Sequence, residues 1–238
     1  MAGALDGFKV LDLSRVLAGP WCTQMLADLG CEVIKIERPG VGDDTRHWGP
    51  PYAEGKDGFR EAAYYLSANR GKKSVAVDMA NPEGQRIIRE LAAQSDIVVE
   101  NFKVGGLKRY GLDYDSLAKI NPQLIYCSVT GFGQTGPYAH RAGYDFVLQG
   151  MGGLMSITGE ADGEPMRAGV ALIDVMTGLH AVIAIEAAII ERARSGLGQH
   201  LDLSLLDVGV STMANQALSY LVSGKSAARY GNAHPSIV

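Results

Sequence analysis

The sequence predicts an α/β protein: a Rossmann-like, mostly parallel sheet with helices on both faces. Two observations predict it. Short apolar runs alternate with helical segments along the first 130 residues, and such alternation yields parallel strands joined by crossover helices. The 238 residues are 47% hydrophobic and 20% charged, which suits one large core or two modest ones.

The elements follow in order. "FKVLDL" (8–13) reads as a buried strand. "GPWCTQMLADLG" reads as a helix, with Pro20 in its first turn and Gly30 as its stop. "CEVIKIE" (31–37) is the next strand, and "KSVAVDM" (73–79) a third. Between them lies a long stretch rich in Gly, Pro and charge, expected to be a functional loop. "NPEGQRIIRELAAQS" (81–95) reads as a helix capped by Asn81, with Pro82 in the first turn. "DIVVENF" (96–102) and "LIYCSVT" (124–130) are two more strands. From Tyr144 onward the chain turns helical, with one helix from about Asp174 to Arg194. "GQHLDLSLLD" is a strand running into another helix. Residues 1–225 are assigned to one large domain, and 226–238 to the start of a linker.

Several function classes are disfavoured. The formal charge of -4 and pI near 5.7 offer no basic face for nucleic acid or a membrane surface. Cys22, Cys31 and Cys127 stand singly, which predicts free thiols in a reducing, cytoplasmic setting. No secretory leader is visible at the N-terminus. The longest apolar run carries Asp174, His180 and Glu186 and reads as a core helix rather than a membrane span. The five histidines lack metal-binding spacing, so no metal site is expected. No GxSxG elbow occurs.

Gly131-x-Gly133-x-x-Gly136 spells a dinucleotide fingerprint, but it follows a late strand and Pro137 comes straight after. A turn that needs positive φ or close backbone approach explains the glycines better than a nicotinamide. Asp174 sits where an apolar helix begins. One reading is a helix cap. The other is a carboxylate nucleophile, kept ionised by the helix N-terminus. Arg38, Arg109 and the group Arg70, Lys72 and Lys73 lie beside strands, where anionic ligands of parallel sheets bind.

The segments "LDGFKVLDLSRVLAGP", "LGCEVIKIERPGVGDDTR", "NRGKKSVAVDM", "VENFKVGGLKRYGL", "GFGQTGP", "RAGYDF" and "GVALIDVMTGLHA" occur in an order that resembles the family III CoA-transferases of the CaiB/BaiF type. The resemblance runs along essentially the whole chain. It implies a Rossmann-like domain of an interlocked homodimer, with acyl-CoA as substrate and no tightly bound cofactor. It also implies that this chain is the N-terminal portion of a longer protein and is inactive by itself.

The resemblance makes Asp174 the nucleophile. It implies that CoA meets Val16, Leu17 and Ala18, Arg38, Val77, Asp78, Met79 and Ala80, Asn101, Phe102 and Lys103, Arg109, and Ala142, Gly143, Tyr144 and Asp145. Leu17 stands where formyl-CoA transferases carry glutamine, against formyl or oxalyl specificity. Ala80 holds a position that is often Lys. Tyr144 replaces the histidine of the related 2-methylacyl-CoA racemases; tyrosine, with an ordinary pKa near 10, suits racemisation poorly. "ERPGVGDDTRHWGPP" and "RYGNAHPSIV" look closest to the subgroup that moves CoA between dicarboxylic acids of the succinyl-CoA:glutarate type. Arg70 and Arg46 are the expected grips for the second carboxylate. The alternatives are a racemase-type isomerase and a catalytically silent CoA-binding domain.

Overall fold

The computed structural model describes residues 3–237. Met1 and Ala2 of the expected domain and Val238 of the expected linker lie outside the described residues. The chain runs β1 (Lys9–Asp12), α1 (Ala18–Asp28), β2 (Glu32–Glu37), β3 (Tyr52–Glu54), β4 (Arg60–Ala62), α2 (Ala63–Asn69), β5 (Lys72–Ala76), α3 (Pro82–Ala93) and β6 (Ile97–Glu100). It continues with α4 (Tyr114–Leu117), β7 (Ile125–Thr130), α5 (Asp145–Met151), α6 (Leu154–Ile157), α7 (Leu172–Ser195), β8 (His200–Ser204), α8 (Leu205–Thr212) and α9 (Ala214–Ser223).

Six strands form one sheet in the order β5-β2-β1-β6-β7-β8. Every pairing in it is parallel. The order reverses between β1 and β6, with Leu11 opposite Ile34 on one side and Val98 on the other. A crevice opens at such a switch point, beyond the carboxyl ends of the strands. Side chains alternate between the sheet's faces. Val10, Val33, Ile97, Val99 and Ile125 pack under α1 and α7. Leu11, Ile36, Val98 and Tyr126 pack on the opposite face with Ile88 of α3 and Leu117 of α4. Helices therefore cover both faces, as the strand–helix alternation predicts.

The helix signals hold locally. Asn81 accepts the Glu83 N–H at 2.9 Å, and Pro82 opens α3 without losing a needed donor. Gly30 adopts a φ of 111° beyond α1. α1 and α7 approach closely at Gly178, where a Cβ would lie 2.9 Å from the Ala18 carbonyl oxygen.

Two expectations are corrected. The stretch between β2 and β5 is no plain loop: it holds a 3-10 turn at Asp44–His47, the antiparallel β3–β4 hairpin and α2. The reason is tertiary. Arg46 ion-pairs with Glu37 and Glu61, bonds the Tyr65 hydroxyl, and lies 3.7 Å over the Tyr65 ring. Lys73–Met79 is not all strand, because pairing with β2 ends at Ala76. Residues 226–237, at the expected start of the linker, hold no strand or helix. Arg229 instead donates to the carbonyls of Ser156, Glu160 and Gly163 and folds this segment onto the turn after α6.

α7 is long and apolar enough to cross a membrane. One side of it packs into the core through Ile173, Thr177, Ala181, Val182, Ile185 and Ala188. Its other side leaves Ile183 and Ile190 exposed. The expectation of a core helix is met on one face only.

Candidate functional site

Two adjoining cavities occupy the crevice. The first, about 650 Å³, lies over β2 and the β6 end of the sheet. Its walls include Arg15, Lys35, Arg38, Lys103 and Arg109, together with Val77, Asp78, Met79, Ala80 and Phe102. Backbone 102–106 closes one side. Lys35 is neutralised by Asp43, so the apolar slot has Arg15, Arg38, Lys103 and Arg109 at its edge with Asp78 beside them, an arrangement suited to a flat heterocycle carrying phosphates. The second cavity, about 270 Å³, is lined by Arg15, Val16, Leu17, Ala18, Asn101, Phe102, Arg141, Ala142, Gly143, Tyr144 and Asp174. Arg15, Phe102, Lys103 and Val104 border both, so one extended ligand can reach from the cationic cavity to Asp174.

Asp174 is the third residue of α7, so it is not the cap that one reading of the sequence offered. Asp145 does that work: its Oδ1 accepts the N–H of Ile173 at 2.7 Å and of Asp174 at 3.1 Å. Gln149, fully buried, steadies Asp145 by donating to its Oδ2 at 2.5 Å. The same amide accepts the Ala168 N–H at 2.8 Å. The Asp174 carboxylate is thus released from capping. Burial, and then the nearby Asp145 charge, push it up to about 7.

The floor of the site is held by buried charge. Asp12 accepts from Ser14, Thr23 and Lys72 at the end of β1. Burial pushes this carboxyl up, but Lys72 and Lys35 outweigh that and hold it well below the carboxylate range. Burial lowers the Lys72 ammonium to about 8. Lys35 pairs with Asp43 at 2.9 Å, both fully enclosed. Helix α1 starts at Ala18, and Leu17 at its cap position offers no capping side chain. The amides of Ala18 and Gly19 have no protein acceptor among the described residues, Pro20 has none to offer, and Leu17 and Ala18 line the second cavity.

The residues expected from the sequence divide between the cavities, with Phe102 and Lys103 bordering both. Arg38, Val77, Asp78, Met79, Ala80, Phe102, Lys103 and Arg109 line the first cavity. Val16, Leu17, Ala18, Asn101, Ala142, Gly143, Tyr144 and Asp174 line the second. Asp145 supports from behind. Arg46 and Arg70 line neither. Arg46 is occupied by Glu37 and Glu61. Arg70 pairs with Asp28 on the surface. Lys72 and Lys73 are likewise paired, with Asp12 and Glu32. The structure adds Arg15 and Arg141, which sequence reading passed over. Their only signal was position: each sits inside a glycine- or alanine-rich motif, in "SRVLAGP" and "HRAGYDF". The glycine pattern serves backbone approach. A Cβ on Gly131 would meet the Gly143 Cα at 2.5 Å, and Gly133 has a φ of 80°.

The chain is similar to known proteins along its length. The model of CoA-transferase family III matches residues 5–238. A succinate–glutarate CoA-transferase of Agrobacterium fabrum is 58% identical over 98% of this chain and 58% of its own length. A succinyl-CoA:glutarate CoA-transferase of Homo sapiens is 52% identical over 98% of this chain and 52% of its own length. The crystal structure of a CaiB/BaiF family protein from Brucella suis superposes with a TM-score of 0.97 at 58% identity, covering 100% of this chain and 62% of that one. The chain thus spans a little over half the length of the curated relatives it matches.

Proposed function

This chain belongs to CoA-transferase family III, and on that premise we propose that the complete protein moves coenzyme A from an acyl-CoA to a carboxylic acid. The donor is succinyl-CoA or a similar thioester, and the acceptor a dicarboxylate. CoA is a substrate here, and no tightly bound cofactor takes part. One observation carries the reading: an uncapped, half-buried carboxylate, Asp174, in a cavity continuous with a cationic slot.

The chemistry follows from that carboxylate. Ionised Asp174 attacks the thioester carbonyl carbon, and the oxyanion formed meets the free amides at the start of α1. Its collapse breaks the C–S bond and gives an aspartyl–acyl anhydride and CoA thiolate. The thiolate attacks the aspartyl carbonyl and expels the donor acid, leaving aspartyl-CoA thioester. The acceptor carboxylate then attacks that thioester and displaces the thiolate. The thiolate attacks the acyl side of the new anhydride, which yields the new acyl-CoA and frees Asp174. Each exchange is an acyl transfer of low barrier compared with direct displacement. The second carboxylate of a diacid meets Arg15 or Arg141 in the same cavity.

The test is CoA exchange between labelled succinate and succinyl-CoA, with Asp174→Ala as control. Hydroxylamine added with acyl-CoA should trap Asp174 as its hydroxamate. Undiminished exchange by Asp174→Ala ends this reading. A racemase is the second reading, and Tyr144 in the second cavity speaks against it. Enzyme-dependent deuterium uptake at the α-carbon of a 2-methylacyl-CoA, as fast as CoA exchange, decides for it. A silent CoA-binding domain is the third, distinguished by CoA binding without exchange. The exposed apolar faces of α7 and α9 support an interlocked homodimer of the complete protein, and three buried free thiols support a cytoplasmic setting.

A further inference from the structure

Val16 lines the Asp174 cavity with a φ of 71°. A β-branched residue in the left-handed region is strained, and the conformation persists only where neighbours over-determine it. Here both ends of the preceding peptide are pinned. The Arg15 carbonyl accepts from Asn101 Nδ2 at 2.6 Å, and the Val16 N–H points at the Asp43 carboxylate, 3.3 Å away. Asn101 Oδ1 also accepts the Arg15 N–H at 2.9 Å, so its amide grips one residue from both sides. Asp43 is itself fixed by buried Lys35, which lines the other cavity. The strained turn leads directly into Leu17 and Ala18, which line the same cavity as Asp174 where α1 begins.

We propose that Asn101 is a positioning residue for acyl transfer, holding the Arg15–Val16 peptide so that Val16 keeps its strained turn at the wall of the Asp174 cavity. This rests on the transferase reading and deepens it. Asn101 borders the cavity, but both ends of its side-chain amide are taken up by the Arg15 backbone, and it acts through that backbone. Glycine adopts a φ near 70° without strain, so Val16→Gly removes the need for the grip.

A double-mutant cycle in the complete protein tests this. Asn101→Ala should lower kcat about tenfold, the size of two net hydrogen bonds, with KM for acyl-CoA within about twofold. In the Val16→Gly background the same change should cost less than about threefold. Asn101→Asp keeps the acceptor for the Arg15 N–H and loses the donor to its carbonyl. It should fall between wild type and Asn101→Ala, should likewise be rescued by Val16→Gly, and carries the test if Asn101→Ala does not fold. Equal losses in both backgrounds, or a loss confined to KM, overturn the proposal. Failure of the transferase reading is separate: it shows as absent wild-type exchange or as an active Asp174→Ala protein. The cycle is then read in thermal unfolding, where Val16→Gly must also shrink the loss caused by Asn101→Ala.

Discussion

Asp145 caps the helix that carries Asp174, accepting the N–H groups of Ile173 and Asp174 with one oxygen. One acid thereby does structural work that the other is left free of. The same contact places two carboxyls close together, and the second charge adds to burial in raising Asp174.

Asp145→Asn keeps an acceptor for the helix but drops the charge. Asp174 should then ionise more easily, and the acid limb of the exchange rate should move below its wild-type midpoint near 7. Asp145→Ala should do the same and also cost about 0.5–2 kcal/mol of stability through the lost cap. A pH–rate profile and a denaturant titration read these; an unmoved acid limb refutes the electrostatic role.

Asp174 also links stability to pH. Its native value of about 7 lies above its ordinary 3.8, so the native state holds a proton that the unfolded state releases first. Stability should fall as pH rises from about 4 to about 7 and level off above. Asp174→Asn removes that penalty. It should be more stable to unfolding than wild type at pH 8, by a few kcal/mol at most, with little difference at pH 4, as denaturant titrations at the two pH values would read. Equal gains at both pH values contradict the assignment.

Arg46 is a structural group. Arg46→Met leaves the enclosed carboxylates of Glu37 and Glu61 unpaired, and should destabilise the fold by about 3–5 kcal/mol. Burial pushes Glu37 up, but bonds from Arg46, Ser74 and the Asp43 amide bring it down to about 2. Its contribution is therefore full above pH 4.5 and lost as pH falls toward 2. That acid dependence should shrink in Arg46→Met. Arg70→Met, on the surface, should stay within about 0.5 kcal/mol of wild type. Chemical denaturation at pH 3 and pH 7 checks all three.

Arg141 is the better candidate for recognising a diacid. It lines the Asp174 cavity and rests 4.8 Å from the centre of the Tyr138 ring. Arg141→Met should raise KM for succinate or glutarate at least tenfold and spare a monocarboxylate. The magnitude follows from losing the partner of a desolvated charge, about 2–5 kcal/mol when fully buried. Equal losses on both acid classes remove Arg141 from this role.

The apolar side of α7 and α9 exposes Ile183, Ile190, Leu218, Leu221 and Val222. Patches of this kind drive association in water. Residues 1–238 alone should sediment with a mass that rises with concentration. Ile183→Lys together with Leu221→Lys should reduce that rise. A concentration-independent monomer of the wild-type sequence contradicts the expectation.

The sequence by itself determined the sheet and pointed to a candidate site. Strands such as Lys9–Asp12 and Ile97–Glu100 are short apolar runs that must be covered on both faces, so local pattern suffices to find them. Asn81 and Pro82 announce α3 because capping is a contact between near neighbours in the chain. Asp174 and the expected CoA contacts were named through the family resemblance of the motifs that carry them, and the structure gathers most of them around two adjoining cavities. The fates of the charges were decided only by tertiary structure. Nothing local says that Arg46 meets Glu61, that Arg70 meets Asp28, or that Lys72 is enclosed with Asp12. Those pairs join residues 15, 42 and 60 positions apart. Likewise, Asp174 could be read as a cap until Asp145, 29 residues earlier, was found in that place. A charge has no periodicity to betray its partner: the fold brings the two together, and the cost of burying either one alone then holds them there.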